Sequence, residues 1–333
     1  MKMRAAVLTE LNAPLTLADV ELPDVLGYGQ VLVRVIAAGI CGAQLQEIRG
    51  EKGGPLPHLL GHEGCGEVEA IGPGVTRVKV GDRVVMHWRV AAGVASAFPI
   101  YTLQGVPMTS GLVTTFSEKS VCSENRLTPV PADTPRELAT LLGCGLSTAL
   151  ATVESEFRGF GENVLVIGMG GLGLCLLGAL DLTTPARICG CDVTETKRRA
   201  VEIAGAQYVN LRADKISGKF DLILDTAGNA DTMEEALTHL APSGRYVMIG
   251  QPAPGKPVCV RDARHMFDGE GKTIRATQGG GFRPDLDIPR FLRCADSLYI
   301  HHLITHRFGL ERINDALDLV RAGEAGRVMI EMN

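Results

Sequence analysis

Apolar positions are distributed differently along the two halves of this chain. Over residues 1 to about 90 they form short Val- and Ile-rich runs at 4–9, 31–37, 67–71 and 83–86, separated by Gly and Pro clusters. That pattern predicts strands and no helical period. Residues 89–116 are weakly patterned and read as a long surface excursion. At Thr134-Pro135-Arg136-Glu137 a capping Thr, a Pro in the first turn and an acid three residues after the cap predict a helix start. Apolar residues then recur at helical spacing through Leu150. Beyond it, strand-like runs at 164–168, 187–191, 207–210, 222–225, 245–250 and 273–277 alternate with helical stretches after the first, second and fourth. Such alternation predicts an α/β fold whose doubly wound parallel sheet is covered on both faces. Two further helices, at 288–298 and 310–321, and a strand at 327–330 follow. No internal repeat is evident.

Composition narrows the picture. A chain of 333 residues is too long for one typical core, so two domains are expected. The net charge of -5 carries no long run of one sign, which argues against nucleic acid or an anionic membrane as partner. The nine cysteines are odd in number and lack a disulfide-framework spacing, and Met1–Arg4 leads into a short strand pattern instead of an apolar leader. A reducing cytoplasm is the expected location. Residues 164–180 contain no charge and approach membrane-span length. Four glycines between 168 and 173 favour a strand, a tight turn and a buried helix there instead.

Within that stretch, Gly168-Met169-Gly170-Gly171-Leu172-Gly173 follows the apolar strand Val164–Ile167 and opens an apolar helix, and Asp192 stands at the end of the next strand. This is the context a dinucleotide-binding turn requires. Gly168 permits the tight turn, Gly170 lets backbone approach a pyrophosphate, and Gly173 lets helix pack on sheet. The N–H groups at the helix start, from Gly171 and Leu172 onward, face the phosphates. Asp192 accepts from the adenosine ribose hydroxyls and repels a 2′-phosphate, which favours NAD over NADP. Lys197, a candidate cofactor contact, and Arg198 lie nearby and weaken that preference.

Three more segments complete the reading: Gly39-Ile40-Cys41-Gly42, Gly61-His62-Glu63 and Gly143-Cys144-Gly145. Together with the glycine turn, with Gly81-Asp82-Arg83-Val84, with Asp225-Thr226-Ala227-Gly228-Asn229 and with Leu303-Ile304-Thr305-His306, they resemble the zinc-containing medium-chain dehydrogenase/reductase family (alcohol dehydrogenase-like). The resemblance spans essentially the whole chain. It implies a GroES-like, β-rich catalytic domain of residues 1–148 and 285–333 around an inserted Rossmann domain of residues 149–284. It implies one catalytic zinc on Cys41, His62 and Cys144, hydride transfer between NAD and an alcohol or carbonyl in a cleft between domains, and a homodimer, with a tetramer also open. The donor set agrees, since a catalytic zinc takes three protein ligands and leaves one position open. By the same resemblance Glu63 lies near the metal, tuning ligand exchange or anchoring the loop. Trp88 lines the substrate pocket or packs in the core, and Arg327 contacts the cofactor pyrophosphate.

The chain departs from the family twice. Residues 86–116 contain no cysteine, so no structural zinc is expected. After Cys41, where relatives carry a hydroxyl residue and then an Asp and a His, this sequence reads Gly42-Ala43-Gln44-Leu45-Gln46. Ala43, in the expected substrate pocket, has no hydroxyl to pass a proton, and Gln46 cannot titrate. Deprotonation then falls to water, to the substrate or to another side chain such as His87, also expected at the pocket. Gln44 remains a candidate support for His62, and a polar, polyhydroxylated substrate fits the space. A zinc-free NADPH reductase and a non-catalytic scaffold are the competing readings.

Overall fold

A computed structural model describes residues 1–294 and 303–332. The chain forms two units. The first comprises Met1–Ser147 and segments beginning at Arg283 and at Ile304; the second runs Thr148–Phe282 and takes in Leu303.

The first unit holds two sheets. In one, the strands run in the order His58–Leu59, Lys2–Leu8, Thr16–Glu21, Tyr101–Leu103 and Val106–Met108. In the other the order is Leu127–Val130, Arg83–His87, Glu63–Ile71, Gln30–Gly39, Arg327–Glu331 and Ile304–Gly309, with Lys119–Ser123 also paired to Gln30–Gly39. Ile304–Gly309 and Arg327–Glu331 are parallel. They need a crossover, supplied by the amphipathic helix Ile313–Arg321, whose Ile313, Ala316 and Leu317 enter the core with Ala6, Leu60 and Phe116.

The second unit is a six-stranded parallel sheet in the order Gln207–Asn210, Arg187–Asp192, Asn163–Ile167, Phe220–Asp225, Leu240–Met248, Thr273–Ala276. In chain order this is 3-2-1-4-5-6, the doubly wound dinucleotide-binding arrangement. Helices Gly171–Asp181, Arg198–Ile203 and Ala230–Leu237 follow its first, second and fourth strands. The uncharged stretch 164–180 is a strand, a turn and a buried helix. Among the described residues, no single helix is long and apolar enough to cross a membrane.

Several local expectations are corrected. Residues 89–116 are not merely a surface excursion. Tyr101 and Phe116 are fully buried, and the Tyr101 hydroxyl accepts from the Val121 N–H at 2.7 Å. Glu124, also buried, accepts from the Val94 N–H at 2.6 Å and from the Thr76 and Arg77 N–H groups at 2.5 Å, tying the segment at Val94 to the turn at 76–77. Thr134 does not cap: Arg136–Leu142 starts after Pro135 with no side-chain cap, and the helical stretch breaks, resuming at Gly145–Glu156 with a 60° bend. Strands at Thr16–Glu21, Lys119–Ser123, Leu127–Val130 and Ile304–Gly309 and the short helix Gly42–Ile48 carried little sequence signal. Lys119–Ser123 buries serines, not aliphatics, and Leu127–Val130 contains Pro129, tolerated because this strand is at the sheet edge. The expected helix at 288–298 begins earlier, as Pro284–Leu292, and its last four positions lie outside the described residues.

Candidate functional site

Sheet pairing assembles the candidate metal centre. Gln30–Gly39 runs antiparallel to Glu63–Ile71, with Ala38 opposite Gly64, so the residues just past one strand meet those just before the other. Cys41 follows the first strand, immediately before helix Gly42–Ile48, and His62 precedes the second. Gly61 turns the chain there with φ 93°, and a Cβ on it would lie 2.3 Å from Thr115 Oγ1. Cys144 sits in the helix break. Its neighbour Gly143 lies against the strands so closely that a Cβ would meet Met86 O at 2.4 Å. The three donor atoms lie within 4.8 Å of one another, and among the described residues they form the one such group of three or more metal-ligating side chains.

The electrostatics suit a cation. The hydrogen bond from Cys144 holds the Cys41 thiol well below its ordinary pKa against burial, with His62 also lowering it. That shared hydrogen bond, together with burial, pushes Cys144 up. Two soft sulfur donors and an imidazole, one sulfur poised as thiolate, are a donor set that could hold zinc.

Beneath the three ligands lies a buried ion pair. Arg327, 3% exposed, places Nη2 3.1 Å from Oε1 of Glu63, which is fully buried. Arg327 Nη1 also donates to the carbonyl of Ile40 at 3.2 Å. Glycines make the room: a Cβ on Gly145 would lie 1.4 Å from Arg327 Nη2, and one on Gly39 2.7 Å from Glu63 Cδ. The pair thus touches the neighbour of each ligand: Ile40 before Cys41, Glu63 after His62 and Gly145 after Cys144. Burial lifts the Glu63 carboxyl to about 7, with Arg327 pulling it back. Arg327, assigned from sequence to the cofactor pyrophosphate, is held here inside the first unit.

Gln44 reaches His62. Its Nε2 is 2.7 Å from His62 Nδ1 and 3.4 Å from Glu47 Oε2, while its Oε1 accepts from the Cys41 N–H at 2.9 Å. Glu47 lies three residues on along the same helix, a spacing that could have revealed the contact. Ala43 is half-buried in the first turn of that helix. His87 does not serve a pocket. It is fully buried, Nδ1 faces Arg89 O at 2.8 Å and Nε2 faces Thr128 Oγ1 at 3.0 Å, and burial lowers its pKa to about 4. A neutral ring with both nitrogens engaged cannot carry a substrate proton. Trp88 is half-buried, with the Arg89 guanidinium 5.2 Å from its ring and its carbonyl accepting from Arg126.

In the second unit the glycine turn ends the strand Asn163–Ile167, beside Phe220–Asp225, where the strand order reverses. Gly168 has φ 84°, and a Cβ on Gly173 would lie 1.9 Å from Gly168 O. A Cβ on Gly170 would meet nothing within 4 Å, so the turn is open on that side. Gly171 and Leu172 begin the helix. Asp192 binds the turn itself: Oδ2 accepts from the Met169 N–H at 2.7 Å and Oδ1 from the Thr194 N–H at 3.0 Å. Thr226, part of the segment 225–229 that carried the resemblance but given no role there, donates to the carbonyls of Ile167 and Gly168. Lys197 is 3% exposed, so its ammonium is not offered to a phosphate at the surface, and Arg198 is paired with Glu195 and Glu202.

Two family models match. One, for the alcohol dehydrogenase GroES-like domain, covers residues 27–132, and one, for the glucose dehydrogenase C-terminus, covers residues 144–323. Among solved structures, an alcohol dehydrogenase zinc-binding domain protein from Burkholderia ambifaria is 23% identical, covering 100% of this chain and 99% of its own, with a TM-score of 0.91. Benzyl alcohol dehydrogenase from Acinetobacter calcoaceticus is 23% identical over 100% of both chains, TM-score 0.89. A zinc-binding dehydrogenase from Sinorhizobium meliloti 1021, bound to NADP, is 21% identical over 99% of both chains, TM-score 0.81. With one of these models alone covering more than half of its length, the chain belongs to the alcohol dehydrogenase-like family of medium-chain dehydrogenases/reductases.

Proposed function

We propose that this protein is a zinc-dependent dehydrogenase that moves a hydride between NAD and the alcohol or carbonyl carbon of a polar substrate. The observation that carries the reading is the convergence of Cys41, His62 and Cys144, remote in sequence, within 4.8 Å. These three would hold one zinc, leaving a fourth position for substrate oxygen. Zinc there supplies Lewis acidity, polarising a carbonyl or lowering the pKa of an alcohol. The chain's own residues do the rest. Glu63 and Arg327 fix the three ligand segments, Gln44 orients His62, and the glycine turn of residues 149–284 would seat the dinucleotide phosphates on its helix N-terminus.

NAD is favoured because the carboxylate of Asp192 sits at the turn while the nearby Arg198 is already ion-paired. A polyol or sugar-derived substrate is supported by two features. The helix after Cys41 carries Ala43 and Gln46 and so offers no hydroxyl-to-histidine proton route. The second family model is that of glucose dehydrogenases. A homodimer through the outer strand Thr273–Ala276 is favoured by the exposure of all four of its residues and by its single strand neighbour. All nine cysteines are free, which suits a reducing cytoplasm.

Metal analysis of freshly purified protein tests the reading, together with NADH formation on alkyl alcohols, polyols and sugars. One zinc per chain is expected, lost with activity in Cys41→Ala. A zinc-free protein active with NADPH on enones, or one unaffected by Cys41→Ala, would sink it. A preference for unsubstituted alkyl alcohols would remove the polyol assignment alone.

A further inference from the structure

We propose that Thr226 is a positioning residue for the dinucleotide, its hydroxyl holding both carbonyls of the glycine turn so that the turn is shaped for a pyrophosphate before one binds. This rests on the dinucleotide reading above. Thr226 stands just past the strand Phe220–Asp225, which pairs with Asn163–Ile167 so that Asp225 lies opposite Ile167. That register carries the Thr226 N–H to Ile167 O at 2.8 Å. The side chain reaches one residue further. Its single hydroxyl proton lies between two acceptors, Ile167 O at 2.9 Å and Gly168 O at 2.8 Å. The loop that aims it is braced. Asp225, fully buried, accepts from the Ala227 and Gly228 N–H groups at 2.7 and 3.2 Å and from the Tyr246 hydroxyl at 2.7 Å. Backbone packs against backbone beside it: a Cβ on Gly250 would lie 2.6 Å from the Thr226 carbonyl, and one on Gly228 2.6 Å from Gln251 O.

The peptide between Gly168 and Met169 is thereby gripped at both ends. Thr226 takes its carbonyl, and the Asp192 carboxylate takes its N–H at 2.7 Å. A turn that receives an anion must offer N–H groups to it and direct its oxygens elsewhere. Glycine alone does not secure this, because Gly168, at φ 84°, is free to adopt many other conformations. Asp192 is shared, since in the same reading it also accepts from the ribose, whereas Thr226 has only the turn to serve. Without the hydroxyl, Gly168 O would lose this donor, and the peptide would gain by rotating toward water. Part of the ligand's binding energy would then go into restoring the turn. A Cβ on Gly168 would meet Thr226 Oγ1 at 2.8 Å, so the glycine and the threonine fit as a pair.

The test uses the full chain. NAD and ADP-ribose, which both carry the pyrophosphate, are titrated calorimetrically into the wild type, Thr226→Val and Thr226→Ser. Val keeps the shape of Thr without its donor. Thr226→Val is expected to weaken both ligands by the same factor, about threefold to tenfold, the weight of a lost hydrogen bond. Thr226→Ser should recover most of that loss. A role confined to stability would lower the urea midpoint and leave the affinity of the folded variant unchanged. Unchanged affinity in folded Thr226→Val, a loss confined to NAD, or an equal loss in Thr226→Ser overturns the proposal. Should Thr226→Val not fold, amide hydrogen exchange in the wild type decides: Gly168 and Met169 should be protected before ligand is added, and protection that arises only with ADP-ribose overturns the proposal. A wild type that binds NAD, NADP and ADP-ribose no better than buffer removes the cofactor reading and this proposal with it. A wild type and a Val variant that bind equally well remove this proposal alone.

Discussion

Replacing Arg327 with Met keeps most of the side chain's stem and removes its charge. Glu63, with no exposed surface and lifted to about 7 even beside Arg327, would then have to take up a proton or hold an unpaired carboxylate inside a space shaped by Gly39 and Gly145 for an ion pair, so the loss is largest above pH 7. At the observed 3.1 Å, unit charges in a medium of effective dielectric about 20 attract by about 5 kcal/mol. Most of that offsets desolvation while the pair is intact, so the pair itself adds little, whereas losing one partner costs about 3–5 kcal/mol. Trp88 is the sole tryptophan and lies in the first unit, so its fluorescence isolates that unit's urea unfolding. With the metal stripped, so that ligation does not enter, the midpoint of Arg327→Met should fall by about 1–3 M for a typical urea dependence. Gly145→Ala should act the same way, because its methyl would occupy the position of Arg327 Nη2. Glu63→Gln with Arg327→Met should be less destabilised than the two single changes summed. An unchanged midpoint in Arg327→Met, or strict additivity in the double variant, would refute the idea that this pair ties the ligand segments together.

The first unit should lose stability on acidification. The His87 pKa is held at about 4 against an ordinary 6.5, so its contribution is complete above 6.5 and is lost as pH falls toward 4; the urea midpoint should track that window, and His87→Gln should flatten it. Gly173→Ala places a methyl 1.9 Å from Gly168 O, so NAD binding measured by calorimetry should be lost or fall at least about tenfold as the turn is forced open. Glu124→Ala strips the acceptor from three backbone N–H groups, at about 1–3 kcal/mol each if they stay dry. Limited proteolysis should then cut within residues 89–116 well before the wild type is nicked.

How much was legible in the sequence follows from how local each feature is. The second unit's strand–turn–helix alternation could be read because its inner strands, such as Asn163–Ile167 and Phe220–Asp225, are buried on both faces and largely apolar, and the six predicted strands, the two edge strands included, fall on the six observed. The first unit was read less completely. Its strands Thr16–Glu21 and Lys119–Ser123 are exposed or carry buried serines, and such strands are defined by their pairing partners more than by their own pattern. The segment 89–116 looked unstructured because Glu124, outside it, supplies the acceptor that pins it.

The sequence by itself determined the glycine turn, since Gly168 and Gly173 answer constraints within one strand–helix unit, and it marked Cys41, His62 and Cys144 through the resemblance of their short segments to the motifs of the family. Only the tertiary structure decided what surrounds them. Sheet register brings residues 41 and 62 together, and a helix break seats residue 144. Glu63 and Arg327, distant in the chain, meet in a space that neither residue announces. His87, an open candidate from its sequence position, was decided by burial, which occupies both nitrogens and keeps the ring neutral. Chemistry borne on adjacent residues follows chain order, whereas charge, tautomer and access depend on neighbours that only folding supplies.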